Sequence, residues 1–334
     1  KENLLQISAH QAIDGDILYW FYDKNKFGLR NRCYDVMIIY AYCLCYYILN
    51  TNDFAILNTK LPYIYGSSIS CYEKEKIIVY NTTNENYSLL DHLTKAIDLS
   101  ISLIGDNGIP LMGEKDFDNA FSSISKKDES TINGFILYKT ISNFIKIISN
   151  SNYDINYKKY EKFNLNLRKK INNIAFSKNH YERCLYSDIN DNLLGIDLLT
   201  QSFAIKSGVA LKGNISKITK EVEKKLYDNN KKLFRYISSN INLTDNDYGS
   251  ICNYPKGYFE NEGYEVKTAN DGIEGLSYFK MYEPDLVLLD LMLPGLSGEE
   301  LLPLIKNVPI IVVSAKAAVQ DKVDLLLGGA ADYI

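Results

Sequence analysis

A short apolar run that ends in a carboxylate is the feature that most constrains the fold of this chain. Residues 286–289 are Leu-Val-Leu-Leu, Asp290 follows, and a Leu-Met-Leu-Pro-Gly loop begins directly after it. Short, continuous apolar runs are typical of strands that are buried on both faces of a parallel sheet. Open α/β sheets place their reactive groups at the carboxyl ends of such strands. The pattern therefore predicts a buried parallel strand with Asp290 at a functional edge.

The residues around this run alternate between strand and helix patterns. The predicted strands cover Tyr264–Ala269 and Pro309–Ala315 and begin again at Ala331, and the predicted helices cover Gly272–Tyr282, Ser297–Lys306 and Gln320–Leu327. Ser297 and Glu300 have the spacing of a capping box, and Pro303 predicts an irregular start or a kink. This alternation predicts βαβ units and a doubly wound parallel sheet.

The composition changes abruptly near residue 260. Residues 1–263 contain four valines, whereas the much shorter stretch 264–334 contains seven. The second stretch has eleven acidic and five basic residues, a net charge of −6, which leaves +2 for the first because the whole chain carries −4. These differences predict two joined regions, residues 1–257 and residues 258–334.

The first region has mainly helical periodicity. Predicted helices cover residues 34–49, 88–104, 131–149, 158–175, 194–210 and 215–228. Leu93, Ile97, Ile101 and Ile104 illustrate the three- and four-residue spacing of an apolar helix face. Strand patterns are few, and Lys76–Tyr80 is one of them. A mostly α fold built from helical hairpins is therefore expected.

Composition and charge exclude several classes of function. No apolar run approaches the ~20 residues that span a membrane, and the net charge of −4 gives no broad basic surface for nucleic acid. The six cysteines form no Cys-x-x-Cys pair and only three histidines are present, so zinc-ligand spacing is absent. We expect reduced thiols and a cytoplasmic protein. Because residue 1 is Lys, the sequence is also interpreted as a fragment or a processed chain.

Six segments of the first region carry a more specific signal. They are Gly15-Asp-Ile-Leu-Tyr-Trp-Phe-Tyr22, Phe27-Gly-Leu-Arg-Asn-Arg-Cys-Tyr-Asp35, Leu90-Asp-His-Leu-Thr-Lys-Ala-Ile-Asp98, Gly108-Ile-Pro-Leu-Met-Gly-Glu-Lys-Asp-Phe-Asp-Asn-Ala-Phe121, Glu129-Ser-Thr-Ile-Asn-Gly-Phe135 and Gly195-Ile-Asp-Leu-Leu-Thr-Gln-Ser-Phe-Ala204. In this order and spacing the region resembles glycoside hydrolase family 94. That family includes cellobiose-type phosphorylases and the carboxyl-terminal part of cyclic β-1,2-glucan synthases. The resemblance implies part of an (α/α)6 barrel.

The resemblance also implies a catalytic position and shows how this chain departs from the family. In phosphorolysis inorganic phosphate, the co-substrate, is itself the nucleophile, so one protonated carboxyl suffices as general acid. The family's Asp-Trp-Asn-Asp aligns with Asp116-Phe-Asp-Asn119, so Phe117 replaces the stacking tryptophan. Asn119 occupies the general-acid position and has no acidic proton to give. Asp118 would have to replace it in an active enzyme.

Other positions match the family's substrate-binding residues. The resemblance implies this role for Arg30, Arg32, Asp35, Asp197 and Gln201. Arginines suit phosphate because they bind it in a bidentate manner. The alternative is that Arg30 and Arg32 are ordinary salt-bridge partners. His92 is interpreted as a packing histidine of a helix rather than a site residue.

The second region resembles the response-regulator receiver domain. The matching segments are Ala-Asn-Asp-Gly at 269–272, the run 284–295, Val308-Pro-Ile-Ile-Val-Val-Ser-Ala-Lys316 and the final Gly329-Ala-Ala-Asp-Tyr-Ile334. The resemblance implies that Asp290 is the phosphoacceptor, that Ser314 and Tyr333 are the switch residues, and that a histidine kinase is the partner. A carboxylate attacks phosphorus only where Mg²⁺ neutralises the oxygens. We expect an incomplete metal site at Asp290, because the family's first strand with its acidic pair and its final lysine are not found.

These observations predict a fusion of two partial domains. The first is expected to be a catalytically inactive, phosphorylase-like helical region, and the second a truncated receiver. The alternatives are an active glycoside phosphorylase or cyclic β-1,2-glucan processing enzyme, and a module that binds a β-glucan or cellobiose-like sugar under receiver control. Residues 260–263, Glu-Asn-Glu-Gly, fit both families, so the join is interpreted as a recombination or sequence-assembly joint.

Overall fold

The computed structural model describes most of both predicted regions. The described residues are 1–70, 72–115, 123, 125–149, 153, 155–186, 195–229, 232–238, 269, 271–291, 293–305 and 308–312, with the backbone of 332–333. The chain divides into two compact units, Lys1–Glu262 and Gly263–Ile334. The predicted boundary between residues 257 and 258 and the shared segment 260–263 lie outside the described residues. That boundary stays a prediction.

Helices form most of the first unit. They are α1 (Glu2–Ser8), α2 (Asp35–Thr51), α3 (Leu89–Ser102), α4 (Thr131–Ser149), α5 (Tyr157–Ile174), α6 (Leu198–Ser207) and α7 (Lys212–Leu226). The six helices predicted from periodicity are confirmed as α2 to α7, with ends that differ by a few residues. Within the described residues, no helix is both long and apolar enough to cross a membrane.

The helices pack as successive hairpins around α4. Helix α4 packs against α2 on one side and α6 on the other, while α3, α5 and α7 pack against α2, α4 and α6 respectively. Residues on several faces of α4 are fully buried, among them Phe135, Ile141 and Phe144. A helix that is apolar on most faces is stable only when neighbours surround it. The core of the unit therefore lies around α4.

Antiparallel strands add to the helices in a way that the sequence did not predict. The longer strands are β1 (Trp20–Tyr22), β2 (Phe27–Asn31), β3 (Lys60–Tyr65), β4 (Glu75–Val79) and β5 (Asn81–Ser88), and the two-residue strands are β6 (Glu129–Ser130), β7 (Phe176–Ser177), β8 (His180–Tyr181), β9 (Cys184–Leu185), β10 (Tyr227–Asp228) and β11 (Leu233–Phe234). One sheet has the order β1-β2-β4, and β3 pairs with β5. The expectation of few strands is wrong, because β5 is polar and has no apolar alternation. The predicted strand Lys76–Tyr80 is confirmed as β4.

The second unit is an α/β fold, as predicted. Its described elements are α8 (Gly272–Tyr282), β12 (Val287–Leu289), α9 (Gly298–Leu301), β13 (Ile310–Val312) and β14 (Asp332–Tyr333). The strands are parallel, in the order β12-β13-β14. The predicted helix over 320–327 lies outside the described residues, as does the predicted strand over 264–269 except for Ala269.

Helix α9 is shorter than predicted for an identifiable reason. The capping box is confirmed, because Ser297 Oγ accepts a hydrogen bond from the Glu300 backbone N–H at 3.3 Å. The α-helix then ends at Leu301 and a 3₁₀ turn covers Leu302–Leu304. Pro303 lies in that turn, and its ring clashes with regular helix geometry.

Strand β12 is buried on one face only, so the prediction of a fully buried strand is wrong. Leu289 is 2% exposed, whereas its neighbour Leu288 is 67% exposed. Leu276 and Phe279 of α8 and Leu301 of α9 pack in the cluster that contains Leu289. Because successive side chains of a strand point to opposite faces, these helices cover only the Leu289 side.

Candidate functional site

Isolated β-bridges between single residues bring the amino ends of α2 and α4 together in the first unit. Cys33, just before α2, pairs with Gly113, and Leu111 pairs with Glu129, just before α4. Helix α4 also begins where β6 pairs with β9, through Ser130 and Cys184. Residues from the matched motifs, among them Asp35 and Glu129, therefore meet at this end of the helices, which we call the helix-end site.

Arg30 is neutralised by two carboxylates. Its Nε donates to Asp16 Oδ2 at 2.9 Å and its terminal nitrogen donates to Asp14 Oδ2 at 2.6 Å. Arg30 is 7% exposed on the inner face of β2. Burial raises the pKa of Asp16, although the adjacent Arg30 opposes this change. The guanidinium is thus held inside the protein by the Asp14–Asp16 turn, as the salt-bridge alternative anticipates.

Arg32 lies three residues before α2, and Asp35 is the first residue of that helix. Arg32 donates from Nε to the Glu73 carbonyl oxygen at 2.9 Å and from a terminal nitrogen to the Ser70 carbonyl oxygen at 2.8 Å. Its own carbonyl oxygen accepts from Glu114 N–H at 3.0 Å, immediately before the predicted catalytic loop. Asp35 is buried as the first residue of α2, where a carboxylate is favoured by the helix dipole.

Asp197 and Gln201 are fixed at the start of α6. Asp197 caps the helix, accepting from Thr200 N–H at 2.8 Å, and lies 3.4 Å from the buried guanidinium of Arg183. Gln201 accepts from Tyr181 N–H and donates to the Tyr181 carbonyl oxygen, each at 2.8 Å. Both ends of this amide therefore bind backbone in the structure.

Phe117, Asp118 and Asn119 lie outside the described residues, so their roles stay predictions.

Two buried charged residues were not assigned a role from the sequence. Glu129 Oε1 accepts from Asn107 N–H at 2.9 Å, and Oε2 has no hydrogen-bond partner within the described part of the chain. Burial raises the pKa of Glu129. Arg183 donates to Tyr236 Oη at 2.8 Å as well as facing Asp197. Glu129 opens one of the matched motifs, which was a usable signal, whereas no sequence pattern singles out Arg183.

In the second unit, Asp290 lies at the carboxyl end of β12, as predicted. The backbones of Leu289, Val312 and Tyr333 are aligned across the three strands, and Asp290 follows directly. A side chain at Gly298 would collide with the Asp290 carbonyl oxygen, so α9 starts in close contact with this strand end. Asp290 is exposed. The side chain of Tyr333 and all of Ser314 lie outside the described residues.

The described residues do not by themselves form a magnesium site. Among them, no group of three or more histidine, cysteine, aspartate or glutamate side chains is positioned to hold a metal ion. Mg²⁺ binding at Asp290 stays a prediction.

Two family models match the chain. The glycosyl hydrolase 94 superfamily catalytic domain matches residues 10–270, and the response regulator receiver domain matches residues 245–334. The cyclic beta-(1,2)-glucan synthase NdvB of Rhizobium meliloti is 24% identical over 279 residues, which cover 80% of this chain and 10% of NdvB.

Bacterial regulators match the second region. The uncharacterized transcriptional regulatory protein YcbL of Bacillus subtilis is 41% identical over 28% of this chain and 42% of its own length. The transcriptional regulatory protein CseB of Streptomyces coelicolor is 43% identical over 22% of this chain and 33% of its own length. The chain thus spans less than half the length of these relatives.

The match to the glycosyl hydrolase 94 model covers most of the chain, and the match to the receiver domain is supported by a separate set of relatives. The chain therefore belongs to the glycosyl hydrolase 94 superfamily, and it carries this region fused to a response regulator receiver domain.

Proposed function

We propose that the chain joins a carbohydrate-handling region without phosphorolytic activity to a receiver segment that accepts a phosphoryl group on Asp290. The observation that carries the first half is the amide of Asn119 at the position of the family's general acid. An amide cannot protonate the leaving glycosidic oxygen, and this protonation is the proton-transfer step that phosphorolysis requires.

The contacts of Arg30 support the same proposal. A phosphate-binding arginine needs N–H donors that face the substrate. The described donors of Arg30 face Asp14 and Asp16 instead, and these two carboxylates would repel an incoming phosphate. Inorganic phosphate as a co-substrate is thus disfavoured at Arg30.

A direct assay tests this half of the proposal. The full chain is incubated with inorganic phosphate and either cellobiose or β-1,2-glucan, and the release of sugar phosphate is measured. We expect no release. Release that is lost in Asp118→Asn and kept in Asp106→Asn, a control at an exposed aspartate, would instead establish an enzyme that uses Asp118.

The receiver half rests on the position of Asp290. An exposed carboxylate at the carboxyl end of a parallel strand can reach a phosphoryl donor. One Asp290 oxygen would form a bond to phosphorus while the bond from phosphorus to the donor breaks, and a histidine kinase is the corresponding donor class. Because the metal site at Asp290 is expected to be incomplete, acetyl phosphate is expected to give a phosphoprotein only with Mg²⁺ in excess, and Asp290→Asn should lose this label while Asp285→Asn keeps it. Unchanged labelling of Asp290→Asn would contradict this assignment.

A second candidate is supported by the similarity to NdvB. That relative is named as a cyclic beta-(1,2)-glucan synthase, and the similarity covers 80% of this chain. β-Glucan processing by the first unit is the corresponding alternative. The same assay distinguishes it, because processing of β-1,2-glucan would change the chain-length distribution of the glucan even without sugar phosphate release.

A further inference from the structure

The outer face of the β1-β2-β4 sheet carries six apolar side chains in two aligned rows. Trp20, Leu29 and Ile77 form one row across the strands. Tyr22, Phe27 and Val79 form the other row. We call these six residues the outer sheet face. The intervening residues, such as Gly28 and Ile78, are buried on the opposite face.

The outer sheet face is open to solvent. Trp20 is 39% exposed, Tyr22 50%, Ile77 63% and Val79 72%. The Phe27 ring lies between the other two rings, 5.8 Å from Trp20 and 5.5 Å from Tyr22 between centroids. Apolar patches of this kind mark binding surfaces in soluble proteins. The rings support each other, so they form a preformed surface.

We propose that the outer sheet face binds a neutral β-linked glucan chain, outside the helix-end site. The aromatic rings present π faces to which the apolar C–H face of a pyranose can stack. None of the six side chains is charged, which complements an uncharged sugar better than a phosphate-bearing surface. This inference rests on the proposal that the first unit handles β-glucans.

The dimensions of the patch favour an oligosaccharide over a protein. The rows are about 7 Å apart along the strands and neighbouring strands are about 4.8 Å apart, which is the scale of a few sugar rings. A stable protein interface uses roughly 20–30 residues per partner and about 800 Å² on each side. Six side chains fall well short of that requirement, so a second copy of the chain is the weaker occupant.

The patch lies next to the predicted sugar site in the sequence. Strand β2 carries Phe27 and Leu29 on the outer sheet face and ends at Asn31. The next residue is Arg32, whose carbonyl oxygen accepts from Glu114 N–H just before the predicted catalytic loop. The two surfaces are therefore joined along the chain by strand β2.

The single tryptophan of the chain provides a direct readout. Trp20 is the only tryptophan among the 334 residues, so its fluorescence emission and its quenching by acrylamide report on the outer sheet face. The full chain is titrated with β-1,2-linked glucotetraose and, separately, with cellotetraose, with maltotetraose as the α-linked comparison. A saturable blue shift with at least one β-linked sugar is expected.

Two variants locate the binding surface. Tyr22→Ala keeps the Trp20 reporter and is expected to weaken β-glucan binding at least tenfold. Tyr46→Ala removes a tyrosine of similar exposure, 55%, on α2, and is expected to change binding less than twofold. Val79→Ser, at a more exposed position, provides a second variant that leaves the aromatic rings in place and is expected to weaken binding as well.

Three results would overturn the inference. One is the absence of a saturable change, and another is a Trp20 shift that follows protein concentration without sugar, which would identify a second copy as the occupant. The third is binding that Asp35→Asn abolishes but Tyr22→Ala leaves intact, because the sugar would then bind only at the helix-end site. None of these would affect the proposals tested by sugar phosphate release and Asp290 labelling, so the two failures are distinguishable.

Discussion

At the scale of single residues, burial decides the charge state of His92. Its ring is fully buried, with Nδ1 2.8 Å from Gln11 Oε1 and Nε2 3.2 Å from the Leu61 carbonyl oxygen. Burial lowers the pKa of His92 to about 4, although the Leu61 hydrogen bond opposes this change. Loss of solvation thus outweighs a favourable contact, and the prediction of a packing histidine is confirmed.

The low pKa of His92 predicts an acid-sensitive fold. The unfolded state binds a proton below about pH 6.5, whereas the folded state does so only near pH 4. Stability should therefore fall as pH drops from 6.5 to 4, by roughly 3 kcal/mol at about 1.4 kcal/mol per pKa unit. Urea unfolding followed by Trp20 fluorescence measures this loss. His92→Gln should remove this pH-dependent loss of stability. His180→Gln, a substitution of a second buried histidine, should retain it. Equal pH slopes of the unfolding free energy in wild type and His92→Gln would contradict the prediction.

At the scale of elements, capping boxes define where two helices begin. Ser88 Oγ accepts from Asp91 N–H at 3.1 Å at the start of α3, and Asp91 Oδ2 accepts from Ser88 N–H at 3.0 Å. The same arrangement joins Ser297 and Glu300 at α9. Each box satisfies backbone N–H groups that have no partner within the helix.

Removal of the α3 cap should be measurable. Ser88→Ala is expected to lower the free energy of unfolding of the first unit by about 1 kcal/mol, since N–H groups of the first turn lose their acceptor. Ser102→Ala, at the other end of α3, is the matched control and should stay within about 0.5 kcal/mol. Trp20 fluorescence during urea unfolding gives both values. Equal effects of the two substitutions would show that the cap does not stabilise α3.

Elements were predictable where one regular pattern determines them. Apolar spacing located α2 to α7, and Ser297 with Glu300 located the start of α9. Strand β5 was missed because Asn81-Thr-Thr-Asn-Glu-Asn-Tyr-Ser88 has no apolar face of its own and gains its order from pairing with β3. For the candidate site, the sequence predicted which residues belong to it but not what they contact. The motif identified Arg30, whereas its contacts with Asp14 and Asp16 depend on how the chain turns back toward β2.

At the scale of the whole molecule, each of the two units has a hydrophobic core of its own among the described residues. The larger cluster includes Phe144 and Ile171 of the first unit, and the smaller includes Ile310 and Val312 of the second. The described members of one cluster do not occur in the other. Units that have their own cores generally fold as separate cooperative bodies.

Core substitutions should therefore act within one unit at a time. Ile310→Ala is expected to destabilise the second unit by about 2–5 kcal/mol and Phe144→Ala the first by about 3–5 kcal/mol, through lost apolar contacts and new cavities. Hydrogen exchange measured by mass spectrometry resolves the two responses. Ile310→Ala should speed exchange in α8 and β12 while α2 and α4 keep wild-type protection, and Phe144→Ala should do the reverse.

Leu288→Ala, at the exposed face of β12, is the control and should leave both units unchanged. Faster exchange in α4 of Ile310→Ala would mean that the two cores unfold as one.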